Sequence, residues 1–163
     1  MGFCWFMMVL SQIVLVLLIS WVALDIRKSQ QEFDRYMELV TADKDEIPNY
    51  SDFKIKNVFP FSAPVDRRLH IFNNFSMLKL GLSKFEVQAI LGHPDYSTPM
   101  SAKKKYTYMG SKWTYCFEKP NPNLVNHKHD KCLQLFFTSI GKLNWVASNI
   151  EQLPDIGSPN YLS

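Results

Sequence analysis

From Phe3 to Leu24 the chain runs for 22 residues without one charged side chain, its polarity broken only by Ser11, Gln12 and Ser20. As a helix such a run measures about 33 Å, enough to cover the roughly 30 Å hydrocarbon core of a bilayer. Trp5 and Trp21 stand near its two ends, where amphipathic rings favour the headgroup interface. Arg27 and Lys28 follow directly and are expected to contact the membrane surface. A cleaved signal peptide would need a basic start, a shorter apolar run and a small-x-small site. Ala23 is the sole alanine near the exit, and Cys4 lies at the wrong end of the run for a lipoprotein cysteine. The expectation is an uncleaved transmembrane anchor over residues 1–24 of a single-pass inner-membrane protein.

Beyond Leu24 the pattern turns amphipathic. Ile26, Phe33, Met37 and Val40 recur at steps of seven, four and three with charges between them, which predicts a solvated continuation of the helix. A partner-binding or dimerising stripe is the alternative. Residues 42–64 read as linker, because Pro48, Pro60 and Pro64 each disfavour helix at the preceding residue. The division is therefore an anchor over 1–24, a stalk and Pro-containing linker over 25–64, a folded domain over 65–153 and a loose tail over 154–163. A net charge of +3 is too mild to argue for nucleic acid.

Within the domain, Asp66 is a candidate N-cap for a helix whose apolar face is Leu69, Phe72 and Phe75. Ser83 and Glu86 have capping-box spacing, Phe85, Val87, Ala89, Ile90 and Leu91 supply apolar positions, and Gly92 with Pro94 ends the helix. The period then changes to two. Tyr106, Tyr108, Trp113, Tyr115 and Phe117 predict strands with one aromatic face, separated by a turn or bulge at Gly110-Ser111. Leu133, Leu135 and Phe137 alternate with Cys132, Gln134 and Phe136, and Ile140-Gly141-Lys142 turns into Leu143–Ala147. The fold class is α+β, with a transmembrane helix followed by two helices packed on a three- to four-stranded antiparallel sheet.

Leu80-Gly81-Leu82-Ser83, then Val87, Leu91-Gly92 and Pro94, resembles the Gly-Met-Thr/Ser…Val…Leu-Gly-x-Pro signature of the SmpA/OmlA (BamE-like) domain family. Trp113-Thr114-Tyr115-Cys116-Phe117 is similar to that family's Trp-x-Tyr-x-Phe strand, and residues 133–147 are similar to its last hairpin. The likeness covers about residues 66–150. It implies a small helix-plus-sheet domain in a bacterial envelope, acting as an accessory or scaffold. The β-lactamase-inhibitor proteins share this fold and use it to bind, which points the same way by analogy.

Two cysteines carry the candidate chemistry. Cys116 and Cys132 fall opposite the aromatic and leucine rows, and a hairpin around residues 118–131 would bring them within disulfide reach. Such a bond contributes about 3 kcal/mol on loop entropy and argues for an extracytoplasmic domain. Two unpaired thiols are the plain alternative. A zinc site formed by Cys116, His127, His129 and Cys132 is a third, although no Cys-x-x-Cys pair is present. An enzyme would need a Cys/His pair with an activated thiolate. No glycine-rich elbow adjoins either cysteine. His93 and His70 read as capping or surface residues. Lys103, Lys104 and Lys105 precede the first long strand; they either keep a sheet edge solvated or contact anionic headgroups.

On topology, flanking charge places the domain inside, whereas the resemblance and the cysteine pair place it in the periplasm or exterior; because the charge bias rests on very few residues, the expectation is N-in, C-out with the domain extracytoplasmic. The expected function is a membrane-anchored, non-enzymatic binding or scaffold module for a protein partner in the cell envelope, without cofactor and without nucleic acid. A membrane-tethered immunity or inhibitor protein for a toxin or enzyme is the second expectation, and a thiol- or zinc-dependent activity the third.

Overall fold

The computed structural model describes residues 2–42, 47–102, 107–122 and 129–158, with side chains on the first helix from residue 17 to 41. The chain divides into two compact units, Met1–Leu39 and Val40–Ser163.

The first unit is built from helix α1, Gly2–Ala42. The helix continues without a break past Leu24, as the amphipathic pattern predicts. The expected anchor is corrected, however: among the described residues no helix is long and apolar enough to cross a membrane. The side chains of residues 2–16 lie outside the described residues. Asp25, Arg27, Lys28, Glu32, Asp34, Arg35 and Glu38 charge the turns after Leu24. The transmembrane element of the fold class, the single-pass description and the inner-membrane localisation fall with it. Arg27 and Lys28 stand on exposed turns, and Lys103, Lys104 and Lys105 lie outside the described residues.

The second unit is α+β. Its elements are α2 (Tyr50–Lys56), β1 (Phe61–Ser62), α3 (Val65–Asn74) with a 3₁₀ turn at Phe75–Met77, α4 (Lys84–Leu91), β2 (Tyr96–Ser101), β3 (Tyr108–Lys119), β4 (Lys131–Thr138) and β5 (Leu143–Ser148). The strands form one five-stranded antiparallel sheet in the order β1-β3-β4-β5, with β2 also paired to β3. Five strands stand where three or four were expected: β1 and β2 are additional, in Pro-containing segments that lack a clear alternating pattern, while the segments on either side of Gly110-Ser111 form the single strand β3.

Period-two alternation divides the sheet residues between two faces. Trp113, Tyr115, Phe117, Leu133, Leu135, Phe137, Leu143 and Val146 meet Ile71, Phe75, Leu78, Val87 and Leu91 in the main core. Trp113 and Phe137 pack at 4.7 Å between ring centroids, and Phe72 meets Phe117 edge-on at 5.3 Å. Each such buried side chain stabilises by about 1.5–3 kcal/mol.

Helix α4 begins as the sequence predicts. Glu86 N–H donates to Ser83 Oγ, and Ser83 N–H donates to Glu86 Oε2 at 2.7 Å. The Ser83 hydroxyl, which donates to Glu86 Oε2 at 2.6 Å, and then the Ser83 amide hold the Glu86 carboxyl below its usual range. Val87 and Leu91 are buried, but Phe85 and Ala89 are exposed. In α3 the N-cap is Pro64 rather than Asp66, and the buried residue is Ile71, with Leu69 turned outward. The tail is tied down as far as Ile156, which exchanges backbone bonds with Val146; Asp155 accepts the Ser148 amide. Residues 159–163 lie outside the described residues.

Of the turn or bulge expected at Gly110-Ser111, the turn is absent, since Gly110 lies inside a twelve-residue strand, and the pairing with β2 is irregular where Gly110 and Tyr108 oppose Met100 and Ser101. The φ of Gly110 is +128°, and a Cβ there would stand 1.9 Å from the carbonyl oxygen of Phe137. Backbone has no flexible end to move aside. We expect Gly110→Ala to lower the unfolding free energy by more than about 2 kcal/mol in urea melts, whereas Gly141→Ala, where a Cβ meets nothing within 4 Å, costs about 1 kcal/mol from its positive φ alone.

Candidate functional site

The face of the sheet opposite the main core carries the chemistry. Directly opposed residues share a face, so the register lays it out: Tyr96 beside Thr114, Thr98 beside Lys112, Thr114 beside Gln134, Cys116 beside Cys132, Lys112 beside Phe136, Gln134 beside Ala147 and Phe136 beside Trp145. The two cysteines are thus brought together, as expected. Their sulfurs lie 3.1 Å apart as free thiols, with Cys116 fully buried and Cys132 6% exposed.

A cover lies over the thiols. Phe53 and Tyr96 are buried against them, with Tyr50, Phe59 and Phe61 packed around. Phe53 meets Phe61 edge-on and Tyr96 at a tilt, both at 5.2 Å between ring centroids, and Tyr50 meets Tyr96 edge-on at 4.9 Å. Helix α2 delivers Tyr50 and Phe53, one turn apart. Asn49 caps its start by accepting the Asp52 amide at 3.0 Å, and Asn57 closes its end on the Phe53 carbonyl. This helix corrects the linker expected over 42–64: Pro48 precedes the cap instead of preventing the helix.

Three ionic features surround the pair. Below it, Lys119 and Asp130 form an ion pair at 2.5 Å with side chains 0% and 3% exposed, and the Lys119 ammonium lies 5.5 Å from the Tyr50 ring centroid. Beside it, Asp95 accepts the Cys116 amide at 2.7 Å and pairs with Arg67 at 3.1 Å, whose guanidinium also donates to the His93 carbonyl. Burial pushes the Asp95 carboxyl above its usual range, with Arg67 and the Cys116 amide pulling the other way. A cleft of about 550 Å³ opens here between Phe53, Lys56, Phe61, Arg67, His93 and Asp95. The third pair, Lys131 with Glu118 at 2.9 Å, is exposed.

Away from the cover, the same face is half-exposed. Phe136 and Trp145 stack at 4.2 Å with 21° between their planes. Lys112, Gln134, Ala147 and Trp145 are all partly accessible. Burial pulls the Lys112 ammonium below the usual lysine range, against the pull of the two cysteines.

The other candidate ligands are scattered. His127 lies outside the described residues, and His129 is exposed beside Asp130. Among the described residues no group of three His, Cys, Asp or Glu side chains is placed to hold a metal ion. His93 bonds through its ring to Gln88 at 3.1 Å and His70 to Asn74 at 3.2 Å, both on the surface. Comparison with models of known protein families, with curated proteins and with solved structures finds no match to this chain.

Sequence reasoning missed Lys119, Asp130, Asp95, Arg67, Phe53 and Trp145. A signal existed for the first two: Cys116-x-x-Lys119 and Asp130-x-Cys132 flank the hairpin in mirror order. Asp95 and Arg67 are brought together from separate elements and left none.

The buried ion pair gives a test. Burial opposes the charge on Lys119, but the bond to Asp130 overrides it and holds the ammonium above its usual range. Lys119→Met removes the cation facing a buried carboxylate and should cost about 3–5 kcal/mol, while Lys119→Met/Asp130→Leu should cost far less. A raised cation stabilises fully below the unfolded lysine value of about 10.4, and this stabilisation is lost as pH climbs through the folded value. In urea melts the deficit of the single variant should therefore hold steady at neutral pH and shrink above about pH 10.5.

Proposed function

We propose that the unit Val40–Ser163 is a non-enzymatic module that binds a protein partner through the half-exposed sheet face centred on Trp145. The stacked Phe136–Trp145 pair carries this reading. Trp145 is the partly accessible apolar centre, backed by the buried Phe136 ring and ringed by Lys112, Gln134, Thr98 and Ala147. Interfaces concentrate their binding energy in such a form, with a desolvated aromatic centre inside a polar rim. Lys112 adds a direction. Its ammonium is already partly stripped of water, so a partner carboxylate set against it gains more than it would at a fully hydrated lysine. The resemblance of residues 66–150 to BamE-like domains, and through them to inhibitor proteins that use the same fold to bind, supports the same reading by analogy.

The rear of the sheet supports it as well. Trp113, Leu135 and Val146 fix β3, β4 and β5 against α3 and α4, so the opposite face is presented on a rigid backing. A partner then meets a surface that loses little side-chain freedom on binding.

Photo-crosslinking tests the proposal. A photoreactive phenylalanine analogue placed at Gln134 of the full chain, in cells that make it, should yield a discrete protein adduct. The same group at Leu69, on the outer side of α3, should not. Against the purified partner, Trp145→Ala should weaken binding about 30-fold, the value of a hot spot near 2 kcal/mol. Equal adducts from both positions, or unchanged affinity in the variant, would remove the sheet face from consideration.

A further inference from the structure

Cys116 and Cys132 are directly opposed in the β3–β4 ladder, yet their amides do not cross between the strands. The Cys116 amide donates outward to Asp95 Oδ2 at 2.7 Å, and the Cys132 amide outward to Asn149 Oδ1 at 2.6 Å. In an antiparallel ladder, opposed residues either exchange both bonds or neither. These two form a non-hydrogen-bonded pair, the kind whose Cα atoms approach to about 4.5 Å and whose side chains lie closest. That spacing falls inside the Cα range of about 4.4–6.8 Å that a disulfide spans. The strands therefore already hold the sulfurs where closure needs no shift of register.

What stands in the way is access. Phe53 and Tyr96 bury the sulfurs, and Tyr50, Phe59 and Phe61 complete the cover. Two of these five residues ride on α2, a seven-residue helix. Its attachments to the rest of the unit include the Phe53 side chain, the edge contact of Tyr50 with Tyr96 and the Lys119 ammonium by the Tyr50 ring, together with Tyr50 Oη donating to the Pro122 carbonyl and Ser97 N–H donating to the Pro48 carbonyl just before it. So short an element can lift without breaking the sheet beneath it, which makes it a candidate for local opening.

We propose that Cys116 and Cys132 are a redox modification site, a dithiol–disulfide couple gated by α2, in which Cys132 is the attacking thiol and Cys116 the resolving one. The co-reactant is a small disulfide, RSSR. Cys132 sulfur attacks one sulfur of RSSR, the oxidant's S–S bond breaks, and RSH leaves with the Cys132 proton. Cys116 sulfur then attacks the Cys132 sulfur, the mixed disulfide breaks, and a second RSH leaves with the Cys116 proton. Two thiols are oxidised to one disulfide while RSSR is reduced to two RSH. The order of attack follows from exposure: Cys132 keeps a 6% opening and Cys116 has none. The neighbouring Cys132 sulfur and burial also push the Cys116 thiol well up, which leaves it the slower nucleophile towards an external oxidant.

The test uses the full chain in a Cys4→Ser background, with oxidised glutathione as the probe and mass spectrometry as the readout. The expected product is the Cys116–Cys132 bond, with loss of two hydrogens and no retained glutathione. Phe53→Ala should speed closure about tenfold. Gly110→Ala destabilises the unit far from the cover and serves as the control for global opening. If it speeds closure as much as Phe53→Ala does, there is no gate and the proposal fails. Single-cysteine variants keep the cover intact and test the order. Cys116→Ser should capture glutathione at Cys132 at least about tenfold faster than Cys132→Ser captures it at Cys116. The reverse order, or a mixed disulfide that persists when both cysteines are present, would overturn the assignment.

Discussion

Strand β3 pairs along both of its edges. On one side it holds β1 at residues 118–119 and β2 at residues 108–114; on the other it holds β4 along almost its whole length. Side chains alternate between faces, so a one-residue slip of β3 against β4 would send Trp113, Tyr115 and Phe117 out of the core and drive Lys112, Thr114 and Cys116 into it. That slip is opposed at both ends. Gly110 lets β3 pass against the Phe137 carbonyl at one end. At the other, a bulge between Cys116 and Glu118 turns Lys119 onto the cover side, where it reaches Asp130. The core, the thiol pair and the buried ion pair are consequences of one register.

Much of this was legible where local rules act alone. The Ser83–Glu86 box, the stop at Gly92, and the alternation of Leu133, Leu135 and Phe137 each depend on neighbours in sequence, and each appears in place. The opposition of Cys116 and Cys132 followed once the two strands were assumed to be a hairpin. Failures cluster where tertiary packing overrides a local signal. Pro48 and Pro60 read as linker, yet Asn49 caps a helix between them because Tyr50 and Phe53 have a buried surface to rest on. Phe85 reads as core and is 81% exposed, since the second turn of α4 faces the sheet through Val87 and Leu91 instead.

The N-terminal run shows a different kind of failure. Its apolar length argues for a membrane from composition alone, but α1 passes straight from Leu24 into a strongly charged stretch. Its described part is not apolar enough to cross.

The hairpin between β3 and β4 is closed twice at its base, by the sulfurs of Cys116 and Cys132 and by the charges of Lys119 and Asp130. Because the strand ends are fixed there, the entropy of the segment between them is decoupled from the sheet, and lengthening it adds only about 0.6 kcal/mol for each doubling. Changes in the length of that connection are therefore expected to leave the register of β3 on β4, and with it the face around Trp145, in place.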